Sequence, residues 1–161
     1  MDTHFEFVVY SKISDIEKFR ICNEIFVFLY DLSFFYPNFF LWFNGLFSHG
    51  YELKKDREMI LCRYTENIIG IIILKKTAEE KKICTLRVEK RFRNNGIATE
   101  LIKKGIEWLE DEKPLFSFCS SKDQEFSKLL KYFDFGLQEE KFGYYDPFSL
   151  EYVYNGSLQK Y

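Results

Sequence analysis

The sequence predicts an α/β (α+β) fold, in which about seven strands and about four helices follow the order β-α-α-β-β-β-α-β-α-β-β. Three stretches carry this expectation. Residues 68–74, IIGIIIL, are apolar at every position, so the strand they form must be covered on both faces. Residues 83–110, ICTLRVEKRFRNNGIATELIKKGIEWLE, read as a strand over Ile83 to Val88, a basic turn over Glu89 to Asn95, and an amphipathic helix. In that helix Ile97, Leu101, Ile102, Ile106 and Leu109 recur at helical spacing. Residues 25–47 are nearly continuous in apolar and aromatic side chains, but Asp31, Ser33, Pro37-Asn38 and Asn44-Gly45 interrupt them. That favours two helices over a membrane span, which needs about 20 apolar residues.

In chain order, Phe5 to Ser11 alternates and reads as a strand. Ser14 and Glu17 form a capping box that opens a helix, with Ile16, Phe19, Asn23, Phe26, Val27 and Tyr30 on its mostly apolar face. A second helix follows the Asp31 to Asn38 connection, with Pro37 in its first turn. Arg57 to Tyr64 and Ile68 to Lys75 are strands joined at Thr65-Glu66-Asn67. A charged turn, Thr77 to Lys82, then leads to the strand at Ile83, completing an antiparallel meander. Pro114 to Ser120 is a further apolar strand. Ser121 to Gln124 starts a short helix with Phe126, Leu129, Leu130 and Phe133 on one stripe. Phe135 to Tyr145 and Leu150 to Asn155 form a closing hairpin around Asp146-Pro147. No repeat, low-complexity tract or linker divides the chain, so residues 1–161 are expected to form one domain.

Composition narrows the function. The net charge of -2 argues against general nucleic-acid affinity, so the basic turn is a local feature. Cys22, Cys62, Cys84 and Cys119 have no CxxC or other metal spacing and read as buried, reduced thiols. With only His4 and His49 besides, no metal site is expected. The N-terminal MDTHFEF lacks the basic region and cleavage site of a secretion signal, which fits a cytoplasmic enzyme.

The strand–turn–helix at residues 83–110 has the makings of an anion site. A helix N-terminus leaves backbone N–H groups unpaired at the positive end of its dipole. Gly96 lacks a Cβ, so a phosphate can approach its backbone, and Arg87, Lys90, Arg91 and Arg93 surround the turn. Neither GxxxxGK[ST] nor GxGxxG is present. Arg93-Asn94-Asn95-Gly96-Ile97-Ala98 does match R/Q-x-x-G-x-G/A, between Leu86-x-Val88 and the Thr99 to Ile102 helix.

That combination resembles the acetyl-CoA motif of the GNAT superfamily of N-acetyltransferases, and the order of elements is similar to theirs over essentially the whole chain. The resemblance implies a GNAT fold, whose mixed central sheet splays apart after the organising strand, with acetyl-CoA as co-substrate in the gap. It implies that the Leu86 N–H faces the thioester carbonyl and that Val88 pairs with a pantetheine amide. Arg93 opens the motif, and backbone N–H groups of Asn94, Asn95, Gly96, Ile97, Ala98 and Thr99 cradle the pyrophosphate.

The catalytic slots depart from the family pattern. A tyrosine acid is usual where this chain has Leu130, and carboxylate bases are usual where it has Lys82 and Phe118. Tyr144, on the hairpin that borders the acceptor cleft in relatives, is the nearest substitute acid. Tyr132 is a weaker candidate, and Glu79 and Glu80 read as solvated. With both base slots empty, kcat/KM is expected to rise with pH toward the acceptor's own pKa, without an enzymic shoulder. Of Tyr36, Trp42 and Tyr51, one or two are expected to line the cleft. The partners implied are acetyl-CoA and a primary amine on a small molecule or protein, with neither membrane nor nucleic acid, and a homodimer left open. The alternatives are an acyl-CoA-binding protein without transfer activity, and a toxin that acetylates aminoacyl-tRNA.

Overall fold

A computed structural model describes residues 4–158 of the chain. In order, its elements are β1 (Glu6–Val9), α1 (Asp15–Leu29), α2 (Phe39–Asn44), β2 (Phe47–His49), β3 (Glu52–Leu53), β4 (Arg57–Tyr64), β5 (Asn67–Lys76), β6 (Lys81–Val88), α3 (Ile97–Leu109), β7 (Leu115–Cys119), α4 (Asp123–Tyr132), β8 (Leu137–Phe142) and β9 (Leu150–Tyr154). Seven strands form one sheet in the order β1-β4-β5-β6-β7-β9-β8. The meander β4-β5-β6 is antiparallel, while β6 and β7 run parallel with α3 as their crossover, so the sheet is mixed. The β4–β5 turn is tight because Thr65 and Glu66 both take left-handed backbone, φ 48° and 70°, the geometry that matches the twist of a hairpin.

Two apolar layers cover the sheet. Every residue of Ile68 to Leu74 is buried, because β5 is central and faces a core on each side. On one face Ile72, Leu74, Leu86 and Val88 pack with Ile97, Leu101, Ile102 and Leu109 of α3 and with Phe126 and Leu130 of α4. Gly105 lets α3 approach closely, since a Cβ there would lie 3.0 Å from Ile72 Cδ1. On the other face Met59, Leu61, Ile71 and Ile73 pack against Ile21, Cys22, Ile25 and Leu29 of α1 and Phe39 and Phe43 of α2.

That second layer corrects the expected face of α1. The buried stripe is Ile21, Cys22, Ile25 and Leu29, while Ile16 and Val27 are 76% and 73% exposed and Phe19 and Tyr30 also face outward. Apolar residues occupy both sides of this helix, so periodicity alone could not choose between them. The Ser14 cap forms as expected, accepting from the Glu17 N–H at 3.2 Å. Pro37 lies outside the second helix, one residue before its N-cap Asn38, because 3-10 turns at Tyr30–Phe34 occupy the connection. The small hairpin β2–β3 was not foreseen. No helix among the described residues is long and apolar enough to cross a membrane.

The sheet opens where the sequence turns basic. Only Lys82 and Ile83 of β6 pair with β7, opposite Leu115 and Phe116. From Cys84 to Val88 the β7-facing edge of β6 has no strand partner among the described residues.

Candidate functional site

The opening between β6 and β7 joins cavities on the two faces of the sheet. On the α3/α4 face lies a groove of about 540 Å³, walled by Leu86 and Val88 of β6, the Phe92 to Thr99 turn and α4. Of the residues expected to hold a phosphate-bearing ligand, Leu86, Val88, Arg93, Asn94, Gly96, Ile97, Ala98 and Thr99 all line it. Asn95 does not. Its side-chain amide donates to the carbonyls of Phe92 at 3.0 Å and Arg93 at 3.2 Å, and so shapes the turn from behind.

Strand alternation fixes which backbone groups face the groove. The Glu89 N–H donates to Ile69 O on β5 at 2.7 Å. Successive residues of a strand turn their N–H groups to opposite edges, so Arg87 also faces β5, while Leu86 and Val88 face the open edge. Asn94 and Gly96 take left-handed backbone, φ 65° and 77°. Gly96 is the N-cap of α3, and Glu100 N donates to its carbonyl at 3.0 Å. The free N–H groups of the first turn therefore point into the groove. A Cβ on Gly96 would meet nothing within 4 Å, so there is room for a ligand against the backbone.

The positive charge around this turn is smaller than the sequence suggests. Arg87 forms a two-pronged pair with Asp31, and this hydrogen bonding holds the Asp31 carboxyl below its ordinary range. Arg91 pairs with Glu89. Arg93 donates from Nε to Val88 O at 3.2 Å and pairs with Glu125 at 3.1 Å. Three of the four cations are thus matched by carboxylates, and the anion site is mainly backbone. Lys128 of α4, not foreseen, also lines the groove.

On the α1/α2 face lies a cleft of about 390 Å³, walled by Tyr36, Trp42, Arg57, Lys75, Glu80, Lys82, Cys84, Tyr144, Tyr145 and Glu151 among others. A gap of about 50 Å³ shares Leu86, Glu125 and Phe126 with the groove, and Tyr36, Cys84, Thr85 and Ser117 with the cleft. The two cavities meet there, at the free edge of β6.

Glu151 is the residue that sequence reasoning missed. It is 4% exposed. Burial pushes its carboxyl up to about 7, opposed by hydrogen bonds from Ser117 and Tyr36 and by the charge of Lys82. The Tyr36 phenol donates to Glu151 Oε1 at 3.3 Å. The signal was present in the strand pattern, since Glu151 stands two residues from fully buried Val153 and so shares its side of β9.

The other candidates fall as follows. Tyr144 lines the cleft and packs beside Leu115, Val153 and Leu158, with the Tyr145 ring 4.7 Å away. Lys82 Nζ donates to the Tyr145 hydroxyl at 3.1 Å. Tyr36 and Trp42 line the cleft, whereas Tyr51 packs against Phe19. Glu80 is a half-buried wall residue paired with Lys75 rather than a solvated one, while Glu79 is exposed. Leu130 is buried in the α3/α4 core and Phe118 stacks on Tyr154. Tyr132 sits on the groove side, away from the cleft. No cluster of metal-binding side chains occurs among the described residues.

Comparison with known proteins agrees with this architecture. The model of the acetyltransferase (GNAT) family matches residues 20–130, more than half of the chain. No curated protein sequence matches. A GNAT family acetyltransferase from Elizabethkingia anophelis with acetyl-CoA bound is 17% identical, with a TM-score of 0.62 over 96% of this chain and 97% of that one. Arabidopsis thaliana NAA60 in complex with acetyl-CoA is 14% identical, with a TM-score of 0.64 over 94% and 97%. A Bacillus anthracis protein described as a streptothricin acetyltransferase, in complex with acetyl coenzyme A, is 18% identical, with a TM-score of 0.54 over 63% of this chain. The chain spans 62% of the length of that protein. At these identities the solved structures establish the fold alone. With the family model matched across the sheet opening and its flanking helices, the chain belongs to the GNAT acetyltransferase family.

Proposed function

We propose that the protein is an N-acetyltransferase that moves the acetyl group of acetyl-CoA to a primary amine by direct attack on the thioester. The observation that carries this is the meeting of groove and cleft at the free edge of β6, with a buried carboxylate, Glu151, on the cleft wall. The groove suits acetyl-CoA: it offers the backbone N–H groups of Leu86 and Val88, the Asn94 to Thr99 turn with Arg93 behind it, and open space over Gly96.

When bound, acetyl-CoA supplies an activated acyl group. The chain supplies the rest. Glu151 takes a proton from the ammonium of the acceptor; the freed nitrogen lone pair forms a bond to the acyl carbon as the carbon–sulfur bond breaks. The second proton leaves nitrogen as the amide forms and replaces the one that the Tyr144 hydroxyl gives to the departing sulfur, while Glu151 returns its proton to solvent, so charge and atoms balance. The Leu86 N–H stabilises the negative charge that builds on the carbonyl oxygen, a contribution of about 3–4 kcal/mol for one such donor. Holding both reactants at the gap is worth roughly 7–11 kcal/mol, and a positioned base about 10²–10⁴-fold. Tyr144 is the hydroxyl assigned to protonating the thiolate, a role that Tyr144→Phe reports through kcat at unchanged KM. The four free cysteines suit a reducing, cytoplasmic setting.

A second reading, an acyl-CoA-binding protein without transfer activity, draws on Leu130 in the usual tyrosine slot. Incubation with acetyl-CoA and a panel of primary amines separates the two. Release of free thiol dependent on an amine supports transfer. A melting shift with acetyl-CoA but no thiol release with any amine leaves only binding.

A further inference from the structure

Three cations stand on one rung of the sheet in the wall of the cleft. Arg57 of β4 is directly opposite Lys75 of β5, and Lys75 is directly opposite Lys82 of β6. All three line the cleft. Like charges placed directly opposite across strands destabilise a sheet, so the rung calls for anions. Part of the balance is internal: Glu80 pairs with Lys75 at 3.2 Å and Lys82 bonds the Tyr145 hydroxyl. Among the wall residues, three cations (Arg57, Lys75, Lys82) face two carboxylates (Glu80, Glu151), and a third carboxylate, Asp56, stands behind Arg57 at 3.8 Å, so the anions match the cations in number but not in quality of contact.

Arg57 is the cation held by the weakest contacts. Its side chain is 15% exposed, and Asp56 stands 3.8 Å from its Nε. Among the described residues neither that buried Nε nor Asp56 Oδ1 has a hydrogen-bond partner, so the two meet only as a long ion pair. Its NH1 donates to Cys84 Sγ at 3.4 Å, a weak acceptor. A guanidinium carries five N–H donors in a planar fork that matches a carboxylate in two-pronged fashion. The contact with Cys84 also fixes its place. Cys84 lies two residues before Leu86, about 7 Å along the strand, so an anion on Arg57 would sit a short molecule's length from the acyl-transfer point.

Resting on the acetyl-transfer reading, we propose that the acceptor is an amino acid, whose carboxylate docks on Arg57 while its amine reaches the free edge of β6. Its side chain lies against Tyr36 and Trp42. A carboxylate offers Arg57 the strong acceptor that neither Asp56 nor Cys84 provides, and a small molecule bearing both groups suits the short step along β6 from Cys84 to Leu86.

The test uses matched pairs that differ by the carboxylate: phenylalanine and phenethylamine, tryptophan and tryptamine, γ-aminobutyrate and butylamine. Thiol release from acetyl-CoA gives kcat/KM, and melting of the protein with each compound alone gives binding. The expected result is at least about a tenfold preference for the carboxylate member of an aromatic pair, as charge-assisted hydrogen bonds supply, and protection by that member alone. In Arg57→Gln the ratio within each pair should fall toward one, and Arg57→Lys should restore part of it; the melting shift with acetyl-CoA serves as the check that each variant is folded. Equal ratios in the unmodified protein, or a preference that survives Arg57→Gln, overturn the inference while thiol release still supports the transferase. If no amine gives thiol release, the transfer reading falls, and the melting response to the pairs still decides whether Arg57 reads a carboxylate.

Discussion

Tyr36 and Glu151, 115 positions apart in sequence, meet in the cleft through a hydrogen bond of 3.3 Å from the phenol to Oε1. The contact ties the connection between α1 and α2 to the penultimate strand of the sheet, β9. Burial, with Glu151 as the next cause, drives the Tyr36 phenol well above its ordinary pKa. The hydroxyl therefore stays protonated and works as a fixed donor.

Because that donation favours the ionised carboxylate, its loss should raise the pKa of Glu151 further. In Tyr36→Phe the rising limb of kcat/KM against pH is expected to move upward, costing activity near neutral pH that returns at higher pH. A loss of the same factor at every pH would show that Tyr36 acts by packing.

Glu151 should also mark the stability curve. Its folded pKa, about 7, lies above the ordinary 4.5, so the folded state holds a proton that the unfolded state has released. The stability this gives is fully present below about 4.5 and is lost as pH rises through about 7. At about 1.4 kcal/mol per unit the effect is at most roughly 3 kcal/mol. Melting between pH 5 and 8 should fall more steeply for the unmodified protein than for Glu151→Gln; parallel curves would contradict the assignment.

At Gly96 the expected effect is on ligand binding. Saturating acetyl-CoA at 100 times its dissociation constant adds about 2.7 kcal/mol, a shift of several degrees. Gly96→Glu should abolish that shift by placing a carboxylate where the phosphates approach, and Gly96→Ala should retain part of it. Both carry a conformational cost of about 1 kcal/mol, because φ is +77° there and a Cβ meets open space rather than a neighbour. A full shift in Gly96→Glu would remove the phosphates from this turn.

Leu130 carries the opposite expectation from the one its sequence slot suggests. If it marked a lost acid, Leu130→Tyr would restore transfer. In the fold it is 6% exposed within the α3/α4 core, so a tyrosine overpacks that core at about 1–3 kcal/mol. The expected outcome is a lower melting temperature and no gain in rate; a faster enzyme would place the hydroxyl in the gap after all.

The contrast between Leu130 and Glu151 shows what the sequence made legible. Elements with a local cause were readable: β5 from its unbroken apolar run, the α3 cap from Gly96, the β8–β9 hairpin from Asp146-Pro147. The sheet opening was legible only through the resemblance, since nothing within β6 says where β7 stops following it. The face of α1 was not legible, because apolar residues lie on both sides and tertiary packing chose between Ile25 and Val27. Nor was the cleft, because its parts come from β4, β5, β6, β9 and the connection before α2, and no spacing along the chain links Arg57, Tyr36 and Glu151. The pairing of Arg87 with Asp31 was hidden for the same reason. It brings together residues 56 positions apart.

The central claim, that Glu151 on the cleft wall is the base for transfer, is tested most directly by the pH dependence of kcat/KM for amine-dependent thiol release from acetyl-CoA. The base acts only when ionised, so kcat/KM should rise through about pH 7, the value that burial gives this carboxyl. In Glu151→Gln that limb should vanish and kcat/KM at neutral pH should fall by about 10²–10⁴-fold. A profile that instead climbs to the acceptor amine's own pKa without a shoulder, and is unchanged in Glu151→Gln, would contradict the account and return the site to positioning plus the Leu86 amide.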